Sequence, residues 1–206
     1  MGDLRSAFRV ERKVAALVVM SFTILGMTAC GKETAGVSSV SVDKDGKVTS
    51  VLYEEFDKDY YSLDELTNMA EDEISRYNAE YETPRITLSD AHILEDESVV
   101  ELTMNFESAS DYSYYNQVDM FYGTVGEARE AGYELNLNLV DDKGDKIDPS
   151  LIDQNPDRHI IITSDKTNIK TPYGISYMSK GVTCTGKKEA ELASVTADYA
   201  QLLLSK

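Results

Sequence analysis

Apolar positions along the chain change period several times, and each change marks an expected element. Val14 to Ala29 is a sixteen-residue run without a charge, short of the ~20 residues that a stable membrane-spanning helix needs. Val40-Ser-Val42 and Lys47 to Tyr53 are β-like runs on either side of Asp43-Lys-Asp-Gly46, which predicts a hairpin about an Asp-Gly turn. A helix follows, with Ser62 as N-cap, Glu65 at the third helical position, and Tyr61 and Leu66 placed to staple its start. Leu66, Met69, Ala70, Ile74, Tyr77 and Tyr81 recur at helical spacing and are expected to bury one face, and Pro84 bars continuation.

Ile86 to Leu94 and Val99 to Phe106 flank Glu95-Asp-Glu-Ser98 as a second hairpin. In its second strand Val100, Leu102, Met104 and Phe106 alternate with polar residues. Tyr114, Val118 and Phe121, with Tyr115 and Tyr122 beside them, read as an amphipathic helix ending at Gly123. On that phase Tyr112 and Met120 project away from the core and form a candidate contact surface. Thr124-Val-Gly-Glu127 is another capping box, opening a short helix that stops at Gly132. Leu135, Leu137 and Leu139 alternate with asparagines as a strand before a turn at Asp141-Asp-Lys-Gly144. Asp153 to Asp157 reads as loop, His159 to Thr163 is a strand, Gly174 to Thr185 is a β-like run, and residues 190–204 fit strand or helix. The expected class is α+β, with mostly antiparallel β-hairpins and two or three helices.

The N-terminus has the order of an export signal: basic residues ending Glu-Arg-Lys13, the apolar run, then the small residues of Met27-Thr28-Ala29-Cys30-Gly31. This block resembles the lipobox of bacterial lipoproteins, with Met27 where leucine is usual. The resemblance implies that residues 1–29 are a signal peptide and that Cys30 becomes the lipid-bearing N-terminus. Two or three acyl chains in all would then hold the chain stably on the outer face of the cytoplasmic membrane. Residues 30–38 are small and polar without periodicity, a tether that spans roughly 15–18 Å as a flexible chain. One domain, 39–206, is expected beyond it, with a hairpin/helix part over 39–132 and a β-rich part over 133–206.

Composition agrees with a folded exported body: 42% hydrophobic and 28% charged residues, with four prolines. Net charge is −17. Arg5, Arg9, Arg12 and Lys13 outnumber Asp3 and Glu11 in the signal segment by two, so the mature part stands at −19. Such a body repels polyanions, which excludes nucleic acid as a partner. If Cys30 carries lipid, Cys184 has no disulfide partner.

Catalytic motifs fail on inspection. Gly181 to Lys188 is one residue from a P-loop, but Lys188 stands where a magnesium-binding Ser or Thr is needed, and the run is β-forming. Ser41-Val-Asp-Lys44 fits S-x-x-K but sits in a hairpin without its companion motifs. Asp43, Asp45 and Gly46 lack the bidentate glutamate that completes a calcium loop, because Leu52 holds its place, and Asp141 to Asp145 is judged the same way. His92 and His159 have no metal or nucleophile motif beside them, and Cys184 between threonines is expected to pack as a small hydrophobe. Glu54 with Glu55, or Asp57 with Asp64, could face one another as glycosidase carboxylates do, although such pairs are common among 37 acidic residues. No catalytic residue, metal or cofactor is therefore expected.

Asp43-Lys-Asp-Gly46, Glu54 to Tyr61, Glu73 to Asn78 and Phe121 to Ala128 are similar to lipoproteins of anaerobic Gram-positive bacteria, a group with no established activity to carry over. The expected function is a membrane-tethered, non-catalytic binding or assembly module of the cell envelope, with an envelope protein or a glycan as partner. The alternative is a carboxylate-dependent hydrolase of wall or glycan substrates. A shallow aromatic surface would favour the first, and a deep pocket with two facing carboxylates the second.

Overall fold

Two kinds of strand pattern build two kinds of sheet. Where apolar and polar residues alternate one face stays wet, and where the apolar run is unbroken both faces are covered. The computed structural model describes residues 36–206 except 59–60, 95–98 and 137. Among them are eleven strands and four helices, so the class is α+β, with more sheet and one or two more helices than the expected hairpins imply.

The first sheet takes β1 (Ser39–Val42), β2 (Val48–Glu55), β3 (Ile86–Ile93), β4 (Val99–Phe106), β7 (Asn168–Lys170), β9 (Thr183–Gly186) and β10 (Glu189–Glu191), in the order β3-β4-β2-β1-β7-β10-β9. All of its pairs are antiparallel except β1 with β7. The second sheet takes β5 (Met120–Thr124), β6 (His159–Thr163), β8 (Ile175–Met178) and β11 (Ala200–Leu204), in the order β5-β6-β11-β8, all antiparallel. Strands from 39–132 and from 133–206 thus share both sheets, and the two stretches are not separate parts.

The Ile160-Ile-Ile162 and Leu202-Leu-Leu204 runs divide the interior. Ile161, Leu202 and Leu204 face a core shared with Val40, Val42, Val48, Met104 and Phe106 of the first sheet. Ile160, Ile162 and Leu203 face a second core, under α3 (Val125–Glu130) and α4 (Pro149–Gln154), with Val125, Ala128, Leu139, Ile147 and Ile152. Each such side chain contributes about 1.5–3 kcal/mol relative to exposure, so this strand pair holds both cores.

Turn and cap chemistry sets the connections. Asp43 Oδ1 accepts from the backbone N–H of Asp45 and Lys47, and Gly46 sits at φ 83°. Asp141 Oδ1 accepts from Lys143 and Asp145 in the same way, ahead of Gly144 at φ 86°. In each turn that carboxylate oxygen bonds its own loop, as the plain-turn reading expects. Ser62 caps α1 (Leu63–Asn78), accepting from Glu65 N–H, and Thr124 with Glu127 forms the complete capping box of α3.

Four expectations are corrected. On α1 only Ile74 is fully buried, while Met69 is exposed and Tyr81 lies beyond the helix end, because the helix packs mainly on the edge strand β3 and meets α2 through Tyr77. Leu139 is buried, but the leucine run forms no strand over its described residues. Only Val140 bridges, to Lys146 and Met178. Asp153 and Gln154 belong to α4, which Asp148 caps by accepting from Ser150 N–H, with Pro149 in its first turn. Residues 190–204, where strand and helix both fitted the sequence, are strand at both ends and irregular between.

The fourth correction concerns the tyrosine-rich segment, which is no single helix. Ser108 caps α2 (Ala109–Asn116), Gln117 turns left-handed at φ 55°, and Met120–Thr124 continues as β5 against β6. The earlier start rotates the helix phase. Tyr112 and Met120 are each only 5% exposed, so they form no contact surface, while Tyr114 is 73% exposed. Tyr112 packs edge-on against Phe106, with centroids 5.2 Å apart, and donates its hydroxyl to Asp165.

One buried carboxylate ties these helices together. Asp111, 3% exposed, accepts from Arg85 Nη2 at 2.8 Å, from Tyr77 Oη at 2.9 Å and from Ser108 Oγ. Burial pushes its pKa up, but the bonds from Arg85, Ser108 and Tyr77 outweigh that and hold it below the ordinary carboxylate range.

Two predictions follow from this packing. Asp111→Ala should cost about 3 kcal/mol, because Arg85, Tyr77 and Ser108 lose their shared acceptor. With its folded pKa below the unfolded value of about 3.9, the Asp111 contribution is complete above that pH and is lost as pH falls through the folded value. Urea melts at a series of pH values should therefore show a steeper acid loss in the wild type than in Asp111→Ala. On the corrected phase, Tyr112→Ala should cost about 3–5 kcal/mol and Met120→Ala about 2–5 kcal/mol, and Tyr114→Ala should leave the thermal midpoint nearly unchanged. A silent Tyr112→Ala would refute that phase.

Candidate functional site

At the end of the first sheet where β1 turns into β2, side chains from five segments meet on one surface. Tyr122 lies on β5, His159 opens β6, Tyr173 stands between β7 and β8, Lys44 is in the β1–β2 turn, and Lys206 ends the chain. The Tyr122 and His159 rings stack with centroids 5.4 Å apart and planes at 21°, and Tyr173 follows at 5.1 Å from His159. Above Tyr173 stand two ammonium groups, Lys44 Nζ at 6.0 Å and Lys206 Nζ at 5.9 Å from the ring centre, within reach of the ring's negative face.

Backbone pairing fixes these rings. The ladder between β5 and β6 places Thr124 opposite His159 and Tyr122 opposite Ile161, so Tyr122 and His159 are diagonal neighbours on one face. His159 N–H donates to Lys206 O at 2.8 Å, and Arg158 donates through Nε and Nη2 to Leu204 O, which seats the last strand under the rings. Burial lowers the Arg158 pKa. Gly174 lies against Lys187 and Ser205, where an added Cβ would come within 3.2 Å of Lys187 Cε.

The patch continues into a groove of about 330 Å³, lined by Lys44, Asp45 and Gly46 of the turn, Ser108 to Ser110 at the start of α2, and Met120, Phe121 and Tyr122 of β5. Met120 therefore contributes to the groove wall rather than to an outward surface. The Tyr122 phenol is pushed up to about 12, by burial first and then by Tyr173, Asp43 and Asp45 nearby. It stays a neutral hydroxyl at ordinary pH, and it donates to Lys44 O at 3.4 Å. Glu127, held low by its bonds to Thr124, adds a carboxylate beside His159. Aromatic faces, ammonium groups and hydroxyls on one surface can stack a flat ring and bond its polar or anionic substituents. Asp45 is the one carboxylate in the groove lining, which gives no pair for acid–base work there.

The residues singled out in the sequence fall elsewhere. Cys30 lies outside the described residues. Cys184, on β9, is half-buried with its thiol 3.5 Å from Met178 Sδ, and burial raises its pKa, as suits a packed thiol rather than a nucleophile. Gly181 to Lys188 is a strand and turn leading to β10, not to a helix, so it cannot cradle phosphate as a P-loop does. Ser41 and Lys44 belong to β1 and its turn. Glu54 and Glu55 are consecutive on β2 and point to opposite faces, so they do not pair across a cleft.

A second group was missed. Asp90 and His92 on β3 and Glu101 on β4 place one ligand atom each within 4.8 Å of one another. The signal was present: Leu94 bonds Val99, and counting outward from that pair sets His92 opposite Glu101. The aromatic patch had no such signal, because its five segments are far apart in sequence. Comparison with family models, with curated proteins and with solved structures found no match. No helix among the described residues is long and apolar enough to cross a membrane.

Proposed function

We propose that this chain is a membrane-tethered envelope module, lipid-anchored through Cys30 on the outer face of the cytoplasmic membrane, that binds glycan without chemistry of its own. The observation that carries the reading is the Tyr122–His159–Tyr173 stack, flanked by Lys44 and Lys206 and open along the groove. Sugar rings present apolar faces suited to tyrosine rings, and carboxylate or hydroxyl substituents suit the lysines. In a chain of net charge −17 this grouping of lysines is a local departure that lets a weakly anionic glycan approach where the rest of the surface repels it.

The groove's lining, with Asp45 alone as a carboxylate, favours binding over the hydrolase alternative.

Two experiments test these statements. Full-length protein should co-sediment with insoluble cell-wall glycan, and Tyr173→Ala or Lys44→Ala should weaken retention about tenfold, as expected for loss of one stacking or charge contact, with the thermal midpoint nearly unchanged in Lys44→Ala, whose side chain is exposed. Absence of retention in the wild type, or equal retention in both variants, would overturn the binding reading. For the anchor, Cys30→Ala should abolish fatty-acid labelling and either release the protein to the medium or leave an uncleaved precursor, read by fractionation and mass spectrometry. Undiminished labelling would exclude Cys30 as the lipid site.

A further inference from the structure

We infer that Asp90, His92 and Glu101 form a site for one divalent transition-metal ion, zinc in the first instance, on the open face of the β3–β4 hairpin. Three donors of two chemistries converge there. Asp90 and His92 are two apart on β3, hence on one face, and Glu101 is the direct cross-strand partner of His92. A bulge between Leu88 and Asp90 shifts the register on the far side of this group only, so the His92–Glu101 pair keeps its regular alignment. The donor atoms of all three lie within 4.8 Å of one another, and His92 Nδ1 is 2.9 Å from Asp90 Oδ2.

Zinc bonds of about 2.0–2.2 Å in a tetrahedron set ligand atoms roughly 3.5 Å apart. The group needs only side-chain rotation to close by about 1 Å, and the His92 and Asp90 side chains, 46% and 55% exposed, are free to supply it. An imidazole with two carboxylates selects zinc and its neighbours over magnesium or calcium, which prefer all-oxygen shells. Behind the ligands, Tyr53 on β2 is the cross-strand partner of Glu101, and its pKa is raised chiefly by that neighbouring carboxylate. The backbone beneath is rigid: β4 is paired on both sides, with β2 and β3. Three protein ligands leave a fourth position open to water or to a donor from another molecule. The site lies at the Tyr53 end of β2, away from the Lys44 turn, and is independent of the glycan reading.

Titration calorimetry of the full-length protein, freed of metal by chelation, should show one zinc per chain, with no equivalent binding of magnesium or calcium. His92→Ala should weaken zinc affinity at least tenfold, and Glu101→Gln should weaken it comparably. His159→Ala should leave it unchanged. Zinc should also raise the thermal midpoint of the wild type and not that of His92→Ala, since a ligand held only by the folded state stabilises it. Cobalt substituted for zinc should give visible absorption that His92→Ala abolishes. Absence of stoichiometric zinc binding, or zinc binding indifferent to His92→Ala, would overturn the assignment, as would calcium binding with equal strength at the same residues.

Discussion

The pairing of β6 with β11 is the constraint from which the rest of the structure follows. Ile160-Ile-Ile162 and Leu202-Leu-Leu204 can hide all of their side chains only if both faces of the second sheet are covered. One cover is the inner face of the first sheet, and the other is the layer of α3, α4 and the segments around Leu139 and Ile147. β11 pairs with β6 across some forty residues, so neither core closes until these two strands meet. The end of that strand is in turn secured by Arg158 and His159, which bond the Leu204 and Lys206 carbonyl oxygens.

The candidate site follows from that closure. Docking the second sheet against the first carries Tyr122 and His159 up to the β1–β2 turn, and the seating of the C-terminus under His159 delivers Lys206. A surface assembled from five segments is held by the fold itself rather than by one loop, which suits a binding face that must keep its shape without a ligand. The Asp43 and Asp45 carboxylates on either side of Lys44 also act on the Tyr122 phenol, raising its pKa, so acidic and basic groups share this end of the sheet.

Much of the fold was legible because its signals are local. Asp-Gly turns, the Thr124–Glu127 capping box and the alternation in β4 act within a few residues, where chain geometry admits few answers. The tyrosine-rich segment failed because two helical phases compete there. Ser108 and Asp111 cap an earlier start, and the left-handed Gln117 releases Met120–Thr124 to pair with β6, a partner some forty residues on. The run up to Leu139 failed for a different reason: its described residues join no ladder, and only the following residue, Val140, bridges, to Lys146 and to Met178 of β8.

By itself the sequence determined the α+β class, the Asp-Gly turns, the helix caps and the acidity of the chain. It also held, unread, the hairpin count that sets His92 against Glu101, since that register depends only on Leu94 and Val99. Tertiary structure alone decided which tyrosines are buried, that Asp111 is the hub of two helices, and that Lys44, Tyr122, His159, Tyr173 and Lys206 share one surface. The physical reason is separation along the chain: those contacts join residues tens of positions apart, and no local preference encodes them until two sheets have closed a common core.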